Sequence, residues 1–415
     1  MTIAAHQSAL PRMRAVQSLT VERLQWGACL LIIVSYFVSM WAYKIWYIGT
    51  AVAVIVTAFA AVIGAVRVRG VLRDLWPLFL YFAYLLAAST QAEYAADARY
   101  WAFADSIGFL VACVFWVATR NNDPSAIRIG FVYVSIIAAP VAILLYRSFP
   151  EATRLGGYAL PFYPISISFL WAEIIGGKRR RVALLALTIV LGILFVSRSR
   201  TPLAAGLIVL GFCFLFIGRS LAQRVKLAVV LAMIVTSLVV ALMSFDVTRI
   251  AVLTFVARVT HEDIVIGEVY IPGEPVDPTR ERLDALVAAG IRDVQPFGYG
   301  YNTTGYLFER SFGYFTPLHN IYHIWAFEGG VFCALIMAVV LLRHLAALRR
   351  ARMWASDHEH EILARCLMFS TLGMLLFGIF HQMHQGPLFY AVLGMALGLR
   401  QRAVSNHWNT QEVRR

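Results

Sequence analysis

The sequence has little charge for its length, and this scarcity excludes an ordinary soluble enzyme. Only 14% of the 415 residues are charged, whereas 60% are apolar. A chain of this composition indicates that a lipid bilayer is its solvent. The formal net charge of +13 does not indicate a nucleic-acid partner, because the basic residues form short clusters between apolar runs rather than one basic face.

Several motifs of enzyme chemistry are missing. The sequence has no Walker phosphate loop, no Gly-x-Ser-x-Gly motif and no Asp-x-Asp pair of the kind that clamps a divalent metal on a nucleotide sugar. The five cysteines fall inside apolar segments, and none belongs to a Cys-x-x-Cys or Cys/His pattern. We therefore expect no disulfide and no zinc site.

Long apolar runs fill most of the chain, and each approaches the roughly 20 helical residues that cross a bilayer. They lie near 25–43, 47–66, 73–90, 104–119, 128–146, 157–176, 182–197, 201–218, 226–244, 320–342, 362–380 and 386–399. These runs predict an all-α, polytopic membrane protein of about 12 transmembrane helices. Apart from Glu173, the first nine runs are expected to hold little charge.

The distribution of basic residues predicts the topology. If the N-terminus is inside, the cytoplasmic segments hold 24 Lys and Arg residues against 6 in the short outer segments. The positive-inside rule then places both termini in the cytoplasm. The predicted organisation is a transmembrane scaffold with spans 1–9 (1–245), a long periplasmic loop (246–318), spans 10–12 (319–400) and a cytoplasmic tail (401–415).

The outer loop 246–318 has a globular composition, and a loop of this length usually has a function. Asp277 and Pro278 fit an N-cap and a first-turn proline, and apolar residues recur at helical spacing from Leu283 to Ile291. This pattern predicts an amphipathic helix on the membrane surface that ends before the turn "PFGYGYN" (296–302). The tyrosines and phenylalanines that follow, Tyr301 among them, fit either an interfacial aromatic belt or a surface that stacks on sugars.

Arginines on the outer side are candidates for anion binding. Arg198 and Arg200 lie in "SRSRTP", between two apolar runs, and Arg280 and Arg282 lie on the predicted loop helix. Such side chains can simply extend to the membrane interface. They are nevertheless scarce on this side, and a guanidinium group can donate two parallel hydrogen bonds to a phosphate.

Histidines at the edge of the membrane are candidates for acid–base chemistry. His319 lies beside Asn320 where the chain re-enters the bilayer, with His323 one turn later, and His384 flanks the last outer turn. Each fits an interfacial histidine, but His319 is also suited to accept a hydroxyl proton at neutral pH. A zinc site is disfavoured because no third ligand lies at suitable spacing. Glu328 is expected to pair with an arginine or to face the bundle interior.

The run "SDHEHE" (356–361) could bind a metal, but Ser356 and Glu359 are better explained as a capping box that opens the eleventh span.

Three segments together resemble the bacterial O-antigen ligases and their relatives, the O-antigen polymerase-like membrane proteins. "SRSRTPL" resembles the Ser-x-Ser-Arg element, with Arg200 as its arginine. "RLDALVAAG" followed by "PFGYG" is similar to the arginine-led periplasmic helix and the turn with a proline and two glycines that follows it, with Arg282 as its arginine. "HNIYHIWAFEGG" resembles the His-Asn, nine-residue spacer, Gly signature, with His319 as its histidine. Cys333 and Leu286 depart from the family pattern, which has a glycine and a tryptophan there.

The resemblance implies an enzyme of the bacterial inner membrane with its active site on the periplasmic side. Such a ligase transfers O-antigen from undecaprenyl diphosphate to a sugar hydroxyl of lipid A-core oligosaccharide, without metal, nucleotide or other cofactor and with inversion. Arg200 and Arg282 would stabilise the departing diphosphate, and His319 would act as the general base. The predicted substrate-binding residues are Arg198, Arg280, Asn320, His323, Glu328, Tyr301 and His384.

Two alternatives remain at this point. An O-antigen polymerase would use the same donor with a second carrier-linked repeat as acceptor. A flippase or transporter of lipid-linked glycans would instead need polar groups along a path through the bilayer.

Overall fold

The structure is a computed structural model, and it describes most of the chain. The described ranges are 20–36, 46–148, 162–196, 200–217, 262–266, 269–273, 296–313, 320–355, 357–379 and 386–414, with isolated positions between 222 and 287. At 138–148, 195–196, 200–202 and 409–414 only the backbone is described.

Helices form nearly all of this part of the chain. The first eight are α1 (20–36), α2 (Trp46–Val62), α3 (Val71–Ala88), α4 (Ala95–Asn121), α5 (Pro124–Ser148), α6 (Phe162–Gly176), α7 (Arg180–Val196) and α8 (Arg200–Phe216). Every described position from 222 to 243 and from 249 to 260 is helical as well. The later helices are α9 (Thr304–Phe312), the single turn α10 (Ile321–His323), α11 (Gly330–Met353), α12 (His358–Gly378) and α13 (Pro387–Arg414).

The prediction of an all-α chain is confirmed for the described residues, apart from one small hairpin. Four described helices are long and apolar enough to cross a membrane, namely α3, α4, α11 and α12, and several shorter apolar helices accompany them. These helices are compatible with a membrane protein. The count of 12 spans stays a prediction.

Some helix boundaries differ from those expected. The apolar run 104–119 lies inside the 27-residue helix α4, which starts at Ala95. The run 320–342 opens with α10 and a π-helical segment, Ile324–Glu328, so that α11 starts at Gly330. Helix α13 continues to Arg414 without a break at the expected start of the tail.

Close packing of the helices explains why few side chains on some of them reach the surface. All residues of α6 from Phe162 to Ile174 are buried, as expected for a helix that is apolar on every side.

Helices α4 and α13 approach closely at glycines. A Cβ atom on Gly394 would lie 2.2 Å from the Ala112 carbonyl oxygen, and one on Gly398 would lie 2.3 Å from that of Trp116. Small residues at such contacts are typical of membrane helix pairs.

Buried charges within the helices are paired. Arg128 donates from Nε to Glu173 at 2.7 Å and from Nη1 to Glu359 at 2.5 Å, which joins α5, α6 and α12. Arg400 on α13 donates to Asp74 on α3 at 2.6 Å. The expectation that Glu173 stands almost alone among the early helices is therefore wrong.

The predicted capping box is also wrong. Helix α12 starts at His358, and its N-cap is Asp357, whose side chain accepts a hydrogen bond from the His360 backbone N–H at 2.9 Å. Ser356 lies outside the described residues, and Glu359 pairs with Arg128 instead. Both Ser and Asp can cap a helix, and sequence alone does not distinguish a shift of one residue.

The segment predicted as an outer loop contains elements that the sequence pattern did not predict. Strands β1 (Ile264–Ile266) and β2 (Val269–Ile271) form an antiparallel hairpin in which Ile264 pairs with Ile271. At its base, the Asp263 carboxylate accepts hydrogen bonds from the Gly273 backbone and the Tyr270 hydroxyl, both at 2.7 Å, and these bonds lower the pKa of Asp263.

The predicted loop helix is described at three positions. Residues 282, 285 and 287 are helical, Arg282 is exposed, and Val287 is buried in the main apolar core. At these positions the helix is amphipathic, as expected. Asp277 and Pro278 lie outside the described residues.

Candidate active site

The structure places only some of the predicted site residues. His319, Arg198, Arg280 and His384 lie outside the described residues. Arg200 is the first residue of α8, where only the backbone is described, and Arg282 is exposed on its helix. The meeting of Arg200, Arg282 and His319 at one site therefore stays a prediction.

Two of the segments singled out in the sequence do meet. The turn at residues 296–304 packs against residues 327–330, and we refer to these two segments together as the glycine clasp. The backbone N–H of Tyr299 donates to the Phe327 carbonyl at 3.1 Å, and that of Gly300 donates to the Glu328 carbonyl at 3.0 Å. The "PFGYG" turn is thereby fixed to the "FEGG" end of the His-Asn segment, immediately before α11.

Two glycines make this close approach possible. Gly298 has φ of 73° and Gly330 has φ of 79°, in the left-handed region that favours glycine. A Cβ atom on Gly330 would lie 2.4 Å from the Gly298 nitrogen and 2.4 Å from the Pro296 carbonyl oxygen, while one on Gly298 would lie 2.2 Å from the Glu328 carbonyl oxygen. The atoms in the way belong to the backbone, so a side chain at either position would force the turn to move.

Glu328 joins the two halves of the clasp through its side chain. Its carboxyl group accepts hydrogen bonds from the Asn302 N–H at 2.6 Å, the Thr304 N–H at 3.1 Å and the Thr304 hydroxyl. Thr304 is the first residue of α9, so the acidic side chain also satisfies donors at the start of that helix. Glu328 is only 2% exposed, which confirms the expected interior position. The arginine partner considered as the alternative is not among these hydrogen-bonding groups.

Tyrosines anchor the clasp to α3 and α4. The Tyr84 hydroxyl on α3 donates to the Gly329 carbonyl at 2.8 Å and lies 3.2 Å from the Pro296 carbonyl oxygen, so it touches both halves. The Tyr301 hydroxyl donates to the Asp105 carboxylate on α4. Burial, with the nearby Asp105 charge, raises the pKa of Tyr301 well above its ordinary value.

These contacts give Tyr301 a structural role and identify Asp105 as its partner. Tyr301 is 2% exposed, so its ring and hydroxyl face the bundle in this structure. Sequence reasoning missed Asp105, which is buried in α4. A carboxylate inside an apolar run was the available signal, since such a group requires a polar partner.

Asn320 and His323 lie at the two ends of the single turn α10. The Asn320 side chain is the N-cap and accepts hydrogen bonds from the backbone N–H groups of Tyr322 at 2.9 Å and His323 at 3.4 Å. The asparagine of the sequence motif therefore has a local structural role, because its side chain caps this helix. His323 is partly buried one turn later.

Cys333, which differs from the family pattern, packs against the clasp. A Cβ atom on Gly329 would lie 2.4 Å from the Cys333 sulfur, and Cys333 is fully buried. The thiol thus fills the space on α11 next to the clasp, where the resembling family has a glycine.

No protein-family model matches the sequence, and no curated protein matches it significantly. Within the described residues, no group of three or more His, Cys, Asp or Glu side chains is arranged to hold a metal ion.

Proposed function

We propose that the protein is an O-antigen ligase of the bacterial inner membrane. It would transfer O-antigen polysaccharide from undecaprenyl diphosphate to a sugar hydroxyl of lipid A-core oligosaccharide on the periplasmic face. The observation that carries the proposal is the glycine clasp. Two of the three segments that resemble O-antigen ligases dock on each other through glycines at which a side chain would collide with backbone atoms.

The clasp supports the proposed site because it joins the two segments that would carry Arg282 and His319. One half continues the loop that carries Arg282, and the other half follows His319 and its capping neighbour Asn320 by less than three turns. Catalysis by preorganised groups requires such support, because small displacements of a base or an arginine reduce the rate strongly.

The proposed reaction is a direct displacement at the anomeric carbon. The acceptor oxygen attacks this carbon and forms the new glycosidic bond while the bond to the diphosphate oxygen breaks, which inverts the configuration. The imidazole of His319 accepts the hydroxyl proton, and the bonding electron pair leaves with the diphosphate. Arg200 and Arg282 stabilise the developing negative charge, each by about 3 kcal/mol, the scale of a preorganised electrostatic contact.

The donor chemistry explains why no cofactor is proposed. A lipid diphosphate is a good leaving group, so its departure needs positive charge more than a general acid. The remaining predicted substrate contacts are Arg198, Arg280, Asn320, His323 and His384, with Glu328 and Tyr301 now better explained as supports of the clasp.

The experiment that tests the proposal uses the purified full-length protein in EDTA. It is incubated with carrier-linked O-antigen and lipid A-core, and the products are separated by size. The expected result is a ladder on lipid A-core with the wild-type protein and none with His319→Ala, although the variant still binds the donor. Longer carrier-linked chains without lipid A-core products would identify a polymerase instead. Movement of unchanged donor across vesicle membranes, with no joining, would favour a flippase.

A further inference from the structure

A second, unassigned site lies at the opposite end of α11 from the clasp. A cavity of about 800 Å³ opens between the last turns of α11 and the first turns of α12. Three arginines line it, namely Arg349, Arg352 and Arg365, and the carboxylates that line it are those of Asp357 and Glu361. Three positive charges against two negative charges leave one net positive charge on the wall.

The two carboxylates already have partners. Asp357 accepts hydrogen bonds from the His360 backbone N–H at 2.9 Å and from the His360 ring at 2.8 Å. Glu361 accepts a hydrogen bond from Arg365, and its carboxylate also lies 4.0 Å from Nε of Arg352. Arg349 and Arg352 are both exposed at the cavity. These two guanidinium groups are accessible to an anion that enters from outside.

Apart from His358, the rest of the cavity wall is apolar. Leu345 and Leu348 on α11, Met353 at its end and Met368 on α12 all line it. A site that combines accessible guanidinium groups with an apolar wall fits an amphiphile with a phosphate, because the phosphate binds arginine and the hydrocarbon covers the leucines and methionines. A freely diffusing phosphate ion would make no favourable contact with the apolar part of the wall.

We propose that this cavity binds an anionic phospholipid, with its phosphate at Arg349 and Arg352 and its acyl chain along Leu345, Leu348 and Met368. With the predicted topology the lipid belongs to the cytoplasmic leaflet, where basic pockets between helices bind anionic headgroups. The proposal does not depend on the reaction that the protein catalyses.

Native mass spectrometry of the purified full-length protein tests this site with phosphatidylglycerol and phosphatidylcholine as probes. Each arginine near an anionic lipid should contribute about fivefold in affinity. Arg349→Gln and Arg352→Gln should therefore each weaken phosphatidylglycerol binding by about fivefold. Arg350→Gln is the matched control, because Arg350 is exposed on the same turn of α11 but does not line the cavity.

Wild-type phosphatidylglycerol binding in both Arg349→Gln and Arg352→Gln would overturn the proposal. Equal binding of phosphatidylcholine would overturn it as well, because the site would then lack charge selectivity. Displacement of the lipid by inorganic phosphate at an equal concentration would show a phosphate site rather than a lipid site. Thermal unfolding without added lipid checks that each variant folds, which is expected because both arginines are exposed.

Discussion

Replacement of Gly330 by alanine tests the glycine clasp where a side chain would collide with the facing backbone. The new Cβ would lie 2.4 Å from two backbone atoms, the nitrogen of Gly298 and the carbonyl oxygen of Pro296. Backbone atoms cannot rotate away, so the turn has to move. The left-handed φ of 79° costs about 1–2 kcal/mol for alanine, and overpacking adds about 1–3 kcal/mol. The total destabilisation is therefore about 2–5 kcal/mol.

Gly313→Ala is the matched control, because Gly313 also has φ of 79° but a Cβ there would meet no atom within 4 Å. The control carries the backbone cost of about 1–2 kcal/mol without the collision. Thermal unfolding in detergent should show a clearly larger loss of stability for Gly330→Ala. The proposed joining reaction should be lost in that variant while the control retains it. Equal unfolding temperatures for the two variants would refute the reasoning that the clasp requires a glycine at 330.

Three further substitutions test the groups around the clasp. Tyr301→Phe removes the hydroxyl that donates to Asp105 and should destabilise the protein by about 1–3 kcal/mol in the same unfolding assay; an unchanged unfolding temperature would contradict the anchor. Glu328→Gln puts an amide donor where the carboxyl group accepts three hydrogen bonds. The free energy of unfolding should again fall by about 1–3 kcal/mol, and a wild-type melting curve would contradict this prediction. Arg282→Ala should slow the proposed sugar transfer by about 100-fold or more. Arg310 is an exposed arginine of the same predicted loop that pairs with Glu93, and Arg310→Ala should leave the rate unchanged. Equal rates for these two arginine variants would show that Arg282 does not stabilise the leaving group.

Apolar runs predicted where the helices lie because burial and membrane insertion both act along continuous sequence. The runs near 47–66, 73–90 and 362–380 correspond closely to Trp46–Val62, Val71–Ala88 and His358–Gly378. The hairpin at 264–271 was not predicted, because strands of three residues are too short to show a recognisable alternation of apolar and polar residues. The π-helical segment before α11 escaped for a different reason, since its wider turn leaves no distinct periodicity in five residues.

The polar contacts of the candidate site could be predicted only in part. The motifs indicated that the glycines matter, and the cost of a buried carboxylate indicated that Glu328 does. The hydrogen-bonding partners could not be predicted, because they are distant in the sequence. Asn302 lies 26 residues from Glu328, and Asp105 lies 196 residues from Tyr301. The side chain of Asn320 caps α10, a local role that its position before an apolar run also fits, and its contact with substrate stays a prediction.

The central claim is that Arg282, Arg200 and His319 surround one site, and cysteine cross-linking tests it most directly. Pairs of cysteines at 282 and 319, and at 200 and 319, would be introduced into a protein whose five native cysteines are replaced, and then treated with a short bifunctional maleimide. Both pairs should cross-link within one polypeptide. Failure of both pairs, while each single cysteine still reacts with a monofunctional maleimide, would contradict the proposed active site.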